Sequence, residues 1–109
     1  MKISGSNPFE RRLRLLIARE FASRGYYLDV EGMFSDTRHE GISVEESELL
    51  ANVAAKRGDW HIAEVRFKRL ALAFADTAQG ERYERLSVYA GEQRDGWGYR
   101  LRRLFRLSR

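Results

Sequence analysis

The chain has 109 residues, of which 43% are hydrophobic and 33% are charged, and its formal net charge is +4. This balance is typical of one folded domain, 1–109, and not of a disordered tail. Cysteine is absent, which excludes disulfides, thiolate metal sites and cysteine nucleophiles. Residues 1–6 lack the apolar core of an export signal, and no apolar run approaches the roughly 20 residues of a membrane span, so we expect a cytoplasmic protein.

A first helical hairpin is predicted over about 8–36. Asn7 is placed to cap a helix that begins at Pro8, and Glu10 follows three residues after the cap. Apolar residues then recur at helical spacing as far as Gly25, where the helix is expected to end. The spacing continues into a shorter second helix. The apolar residues of the two helices are Phe9, Leu13, Leu16, Ile17 and Phe21, then Tyr26, Tyr27, Val30, Met33 and Phe34.

A second hairpin is predicted over about 43–78, after a loop. Ser43 and Glu46 form a capping box at the start of the third helix, which runs to Gly58. Asp59 is expected to cap the fourth helix, which runs to about Thr77. The apolar residues that predict the buried faces are Leu49, Leu50, Val53 and Ala54 in the third helix, and Trp60, Ala63, Phe67, Leu70, Ala71 and Phe74 in the fourth.

A third hairpin is predicted over about 81–107. Gly80 closes the preceding turn, a fifth helix runs from Glu81 to about Arg94, and Asp95-Gly96 is a turn signal before a sixth helix. The predicted apolar residues are Tyr83, Leu86 and Ala90, then Trp97, Leu101, Leu104 and Phe105. No segment shows the alternation of a strand, so the expected fold is all-α, with about six helices in three stacked antiparallel hairpins. An irregular helical bundle is the alternative.

The chain also resembles itself at a shift of 33 residues. Arg24-Gly25-Tyr26-Tyr27 aligns with Arg57-Gly58-Asp59-Trp60, and a period near 33 is typical of stacked helical hairpins. The same shift pairs Ala18 with Ala51, Val30 with Ala63, and Phe34 with Phe67.

One segment, 47–71, carries a more specific pattern. A leucine and a small residue precede a Gly-Asp-aromatic turn, and an alanine and a large aromatic follow it: Leu50, Ala51, Gly58-Asp59-Trp60, Ala63 and Phe67. This pattern resembles a tetratricopeptide repeat, a helix-turn-helix unit of about 34 residues. The resemblance implies a scaffold that binds other proteins on a concave face lined by the first helix of each hairpin. Carried over by position, that face contains Arg12, Leu15, Arg19 and Ala22, then Glu45, Glu48, Asn52 and Lys56, then Glu81, Glu84 and Val88.

Reactive groups are few. His39 lies in a polar loop and His61 in the first turn of the fourth helix, and their spacing matches no metal motif. The acidic residues Glu45, Glu46 and Glu48 suit the amino terminus of a helix for electrostatic reasons alone. We therefore expect no catalytic residue, no metal and no cofactor, and a protein that is not an enzyme.

Charge is unevenly distributed along the chain. Residues 1–26 sum to +4, 27–50 to −6, 51–80 to +2 and 81–109 to +4, and 17 of the 20 basic residues are arginine. Arginine grips carboxylate or phosphate groups bidentately, so the basic ends are expected to contact phosphates or an acidic partner. The residues predicted for that contact are Arg11, Arg14, Arg100, Arg102, Arg103 and Arg106.

The leading functional hypothesis is a non-enzymatic adaptor or assembly subunit that binds another protein. One alternative is a small basic, nucleic-acid-associated subunit of a ribonucleoprotein or DNA complex, because the pI is near 9.8. A second alternative is a phage-type inhibitor that binds a larger machine. Membrane binding is the weakest option, and exposed apolar faces at the ends of a short stack also favour homo-oligomers.

Overall fold

A computed structural model describes residues 7–37 and 41–107 of the chain, with side chains as far as Asp95. Over these residues the protein is all-α, with no strand, as the periodicity predicted. The described residues form five helices: α1 (Pro8–Ser23), α2 (Tyr27–Met33), α3 (Val44–Lys56), α4 (Trp60–Ala73) and α5 (Ala78–Leu107). Helix α3 is central, since it packs against α1 and α2 on one side and against α4 on the other, and α4 packs against α5.

The turns that close the first two hairpins have the same backbone geometry. Gly25 and Gly58 have φ angles of 80° and 79°, a left-handed conformation that favours glycine. At each turn the glycine N–H donates to the carbonyl three residues earlier, at 3.1 and 3.0 Å. The next N–H donates to the carbonyl five residues before it, at 2.9 Å in both turns. These are the bonds of a Schellman helix end. The resemblance to a tetratricopeptide repeat itself stays a prediction.

Two of the three predicted helix caps form. The Asn7 side chain accepts a hydrogen bond from the Glu10 N–H at 2.8 Å. Ser43 and Glu46 make both bonds of the capping box, at 3.2 and 3.0 Å. Asp59 occupies the cap position of α4, but its side chain makes no capping bond, so that part of the prediction is wrong.

The core has two adjoining clusters of buried side chains, both of which include residues of α3. The first joins α1, α2 and α3 through Ala18, Val30, Phe34, Leu50 and Val53. The second joins α3, α4 and α5 through Ala51, Ala54, Ala63, Phe67, Leu70, Tyr83 and Ala90. The faces predicted for α3 and α4 and for the first part of α5 are therefore the buried ones.

Helix α1 buries only part of the predicted face. Phe21 packs against the first cluster, as predicted, and Ile17 is half-buried. Phe9, Leu13 and Leu16 are instead exposed by 75%, 37% and 55%, whereas Arg14 and Ala18 are buried. The first part of the predicted stripe therefore lies on the outer side of the helix. An apolar stripe predicts a core face only when another element packs against it, and α1 is the first described helix of the stack.

The turn between α4 and α5 lies earlier than predicted. Helix α4 ends at Ala73 instead of about Thr77, and the Thr77 hydroxyl accepts a hydrogen bond from the Gly80 N–H at 3.0 Å in the first turn of α5. Gly80 is therefore helical, and does not close the turn. A Cβ atom at this position would overlap the carbonyl oxygen of Phe74, so glycine permits the close approach of the two helix ends.

The predicted break at Asp95-Gly96 is absent, and the third hairpin, 81–107, is replaced by one helix of 30 residues. Asp-Gly is a turn signal, but a glycine inside a helix costs only about 1 kcal/mol relative to alanine. The only proline of the chain, Pro8, lies at the start of α1. Every residue of α5 therefore keeps its backbone N–H donor.

Candidate functional site

A groove of about 590 Å³ lies between α2, α3 and α4. We call it the α2–α4 groove, after the two helices that form its walls. It is lined by Glu31, Gly32, Phe34 and Ser35 of α2 and its end, by Thr37 and Ile42 of the following segment, by Val44, Ser47 and Leu50 of α3, and by Arg66, Arg69, Leu70 and Ala73 of α4.

The groove exists because the two hairpins differ in the length of their second helix. Helix α2 has 7 residues and ends at Met33, whereas α4 has 14 residues. Phe34 caps the end of α2 and is buried against Leu50 and Val53. Beyond Phe34, no further helix of the first hairpin covers α4 among the described residues, and this leaves the gap.

The floor of the groove is apolar, and apolar side chains extend beyond its border. Leu50 and Leu70 are core residues, and Val44 is 41% exposed at the start of α3. Two exposed side chains lie one turn before a lining residue and therefore on the same side of the helix: Leu28 before Gly32 on α2, which is 71% exposed, and Ile62 before Arg66 on α4. Val65 and Leu72 of α4 are also exposed, but they do not line the groove.

One arginine ties the walls and the floor together. The Arg66 guanidinium donates to both carboxylate oxygens of Glu31, at 2.8 and 2.9 Å, and to the carbonyl oxygen of Leu50 at 2.9 Å. These bonds join α4 to α2 and α3. Arg57 lies 3.8 Å from the same carboxylate of Glu31. This bidentate arrangement fixes the width of the groove, since both side chains are largely buried.

Arg69 differs from Arg66 in having no such partner. It lies on the same wall and is exposed, and it makes no ion pair within the part of the chain that the structure describes. The described lining of the groove therefore contains three charged side chains: a paired arginine and glutamate, and one further arginine.

Arg14 was predicted to contact phosphate or an acidic partner, and the structure contradicts this. Arg14 and Glu46 are each 1% exposed and are joined by Nε–Oε2 at 2.6 Å and Nη2–Oε1 at 2.8 Å. Arg14 also donates to the carbonyl of Gly41 at 2.9 Å, and its guanidinium lies 5.0 Å from the ring centre of Phe34. It therefore holds α1 against α3 and is inaccessible to a partner.

The pKa of Glu46 reflects this environment. Burial raises the pKa of the carboxyl group, but hydrogen bonds from Arg14 and Ser43, together with the charge of Arg14, lower it further than burial raises it. The net result is a pKa below the ordinary value of 4.5. Glu46 thus does two jobs, as the capping residue of α3 and as the anion of a buried ion pair.

The concave face implied by the tetratricopeptide resemblance, which the first helix of each hairpin would line, consists mostly of exposed side chains. Arg12, Arg19, Glu45, Asn52 and Lys56 are all exposed. None of them lines the α2–α4 groove.

Glu48, the sixth predicted partner-binding residue, is engaged within the chain. It accepts a hydrogen bond from the Tyr83 hydroxyl at 2.8 Å and lies 3.8 Å from Arg82, which joins α3 to α5. Burial, followed by this bond to Glu48, raises the pKa of Tyr83. A cavity of about 370 Å³ on α5 is lined by Glu81, Glu84, Arg85 and Val88, near the positions implied for the third hairpin.

The remaining predicted residues divide by location. Arg11 and His61 are exposed. His39 lies outside the described residues, as do the side chains of Arg100, Arg102, Arg103 and Arg106, although the backbone at those four arginines is helical.

The described residues contain neither a candidate metal site nor a helix that could span a membrane. Within 7–37 and 41–95, no group of three or more histidine or acidic side chains is arranged to hold a metal ion. No helix in the described part of the chain combines the length and the apolar content that crossing a membrane requires.

The α2–α4 groove was not predicted from the sequence. Two signals were present: the shortness of the predicted second helix, and apolar residues of the fourth helix, such as Val65 and Leu72, that lie off its core face. Comparison with known proteins adds no assignment, since no family model, no curated protein and no solved structure matches the chain significantly.

Proposed function

We propose that this protein is a non-enzymatic protein–protein interaction module, an adaptor or assembly subunit that docks a segment of another protein in the α2–α4 groove. The observation that carries the proposal is the groove itself, with its apolar floor at Leu50 and Leu70 and its exposed apolar border. Exposed apolar surface next to a concave site is typical of an interface with another macromolecule.

The shape of the groove favours a polypeptide over a small molecule. A small-molecule cavity encloses most of its ligand, and its apolar surface is inside the cavity. Here several lining residues are themselves exposed, including Gly32, Val44 and Arg69. The apolar surface also continues beyond the lining residues, to Leu28 on α2 and Ile62 on α4. A polypeptide segment is long enough to contact both the lining and these two side chains.

A single substitution can block the groove without disturbing the helix. Gly32 lines the groove and has no atom within 4 Å of the place where a Cβ would lie, and its φ is not in the left-handed region. A Gly32→Trp side chain would therefore extend into open groove space. Gly32→Ala is the matched control, since it adds a side chain at the same site and leaves the groove open.

The test is affinity purification of the full chain from cells that express it natively, with both variants in parallel. We expect a stoichiometric protein with the wild type and Gly32→Ala, and its loss with Gly32→Trp. Recovery of nucleic acid alone, seen in the ratio of absorbance at nucleic-acid and protein wavelengths, would overturn the protein-binding function. Retention of the protein by Gly32→Trp would instead move the interface to another surface.

The first-helix face implied by the tetratricopeptide resemblance is the competing surface. Arg19→Glu reverses an exposed charge in the middle of that face on α1. If the native partner is lost with Arg19→Glu and kept with Gly32→Trp, the concave face and not the groove is the docking surface.

A nucleic-acid-associated subunit stays the second candidate, on the basis of α5. One unbroken helical backbone extends to Leu107, and the sequence from Gly96 onward is rich in arginine, the residue type that neutralises phosphates. Filter binding at two salt concentrations tests this candidate, since binding through several phosphates weakens steeply as salt rises.

A further inference from the structure

We infer that the occupant of the α2–α4 groove is an amphipathic helix of the partner protein, one that packs an apolar stripe on Leu50 and Leu70 and presents a carboxylate to Arg69. This inference rests on the proposed function and gives its binding site a partner of defined chemistry. Three features of the groove support this inference: the hydrogen bonding of its backbone, its length and its charge.

The backbone of the walls offers no pairing to an extended peptide. The walls are helices, whose backbone groups are bonded within each helix, and the carbonyl of Leu50 receives an additional bond from Arg66. The described residues contain no strand, so there is no sheet edge for a peptide to extend. A polypeptide that buries its backbone on this apolar floor must satisfy its own N–H and C=O groups. A helix does so, and binding of an amphipathic helix in a groove is an established mode of recognition.

The length of the apolar surface suits a short helix. Along α4 the surface runs from Ile62, one turn before Arg66, to the lining residue Ala73. At a rise of 1.5 Å per residue, this interval is about 16 Å long. An occupant of about three turns, with apolar residues at i, i+3 or i+4, and i+7, would cover it.

The charge of the occupant follows from the two arginines of the groove wall. Arg66 is neutralised by the bidentate bond to Glu31, at 2.8 and 2.9 Å, and needs nothing from a partner. Arg69 lines the same wall without an ion pair among the described residues. An apolar helix laid over it would remove water from an uncompensated cation, which is costly. A carboxylate on the occupant restores that interaction and fixes its register.

The same charge argument disfavours the amphipathic helices of a second copy as the occupant. The segment Gly96 to Arg109 contains five arginines and no acidic residue, and placed in the groove it would bring further cations next to Arg69. Helix α1, which exposes Phe9 and Leu16, has four arginines and two glutamates. Both helices are net basic, which favours an acidic helix of another protein.

The probe for the test is a displayed library of helical peptides of about 12 residues, long enough to cover the groove. Their apolar positions are fixed at helical spacing and the others are randomised. Selection on the wild-type protein is expected to enrich Asp or Glu at one position between the apolar residues. Selection on Arg69→Glu is expected to enrich Lys or Arg at that same position.

Affinity measurements on individual peptides complete the test. A wild-type-selected peptide is expected to lose at least about tenfold in affinity to Arg69→Glu, to weaken in the same direction to Arg69→Gln, and to be lost with Gly32→Trp. Lys68→Glu is the matched control, because it also reverses an exposed positive charge on α4, at a position that does not line the groove, and it should leave affinity unchanged. Circular dichroism on each variant verifies that the helices are intact.

Three results would overturn the inference: no enrichment of acidic residues, identical selected sequences on wild type and Arg69→Glu, or selected peptides that bind Gly32→Trp as well as wild type. Its failure is distinguishable from that of the proposed function. If the native partner is lost with Gly32→Trp but the library shows no acidic preference, protein binding in the groove stands and only the acidic helix is refuted. If native purification yields no protein partner, the function fails whatever the library selects.

Discussion

Truncation of Arg14 is the sharpest test of how the fold is held together. Arg14→Ala would leave Glu46 ionised and buried, because both side chains are 1% exposed and, among the described residues, no other guanidinium bonds that carboxylate. Removing one partner of a buried ion pair costs about 3–5 kcal/mol. The variant would also lose the bond to the carbonyl of Gly41 and the contact of the guanidinium with the Phe34 ring.

That loss is large compared with the total stability of a protein this size. A domain of about 100 residues has a free energy of unfolding of about 5–15 kcal/mol, so Arg14→Ala would remove about a fifth of it or more. The measurement is urea unfolding followed by far-ultraviolet circular dichroism. The matched control is Arg24→Ala, because Arg24 and Glu20 form an ion pair of the same chemistry at 2.9 Å with both side chains about 60% exposed. An exposed pair of this kind contributes less than about 1 kcal/mol.

The reasoning is refuted if Arg14→Ala costs no more than Arg24→Ala. A paired substitution refines the outcome. Replacing both charges, as Arg14→Met with Glu46→Leu, removes the uncompensated charge, and such replacements are often neutral or stabilising. We therefore expect the double variant to be more stable than Arg14→Ala. If it is equally unstable, the loss comes from packing or from the cap of α3, and not from the orphaned charge.

The same pair predicts a dependence of stability on pH. In the folded protein the pKa of Glu46 lies below 4.5, the ordinary value that the unfolded chain is expected to have. A group of this kind contributes stability above its unfolded pKa, and the contribution disappears as pH falls through the folded pKa. The stability of wild type should therefore fall more steeply than that of Glu46→Gln as the pH is lowered from neutral to about 3. Parallel curves for the two proteins would contradict the assignment.

Three glycines give the remaining predictions, each measured by the same unfolding experiment. Gly32→Ala should stabilise the protein by about 0.5–1 kcal/mol, because the site is helical and has free space for a methyl group. Gly25→Ala should destabilise it by about 1–2 kcal/mol, because the backbone φ angle there is 80°. Equal effects at the two sites would refute the conformational argument. Gly80→Ala should destabilise by about 1–3 kcal/mol, because the new Cβ overlaps the carbonyl oxygen of Phe74, and a neutral result would mean that α4 and α5 approach less closely.

Local signals in the sequence predicted local structure well. The capping box at Ser43 and Glu46 and the left-handed glycines of the first two hairpins follow from interactions within a few residues. Such features depend on side chains and backbone groups that are neighbours in any helical context. For the same reason, the helix boundaries around these residues were close to those observed.

Contacts between distant residues were not predictable in the same way. Arg14 and Glu46 are 32 residues apart in sequence, and the charge of a residue does not indicate its partner. Arg14 was therefore assigned, with Arg11, to contact with phosphates or an acidic partner. In hindsight, its spacing of four residues from Ala18 places both on one side of the helix, and it is that side which is buried. The alanine, a residue small enough for close helix packing, marked the core face better than Phe9 or Leu16 did.

The groove illustrates how a repeated local pattern produces a unique surface. The turns at Gly25 and Gly58 match in φ and in hydrogen bonding, but the helices that follow them have 7 and 14 residues. A helix that stops early leaves its neighbour uncovered, so the difference between the hairpins creates the cavity. Leu50 and Leu70 belong to the packed core as well as to the groove floor. Because these two side chains are already held in place by the core, the floor is preformed. A preformed floor lowers the entropic cost of binding. The groove is therefore better suited to specific docking than the exposed stripe on α1, whose side chains have no such support.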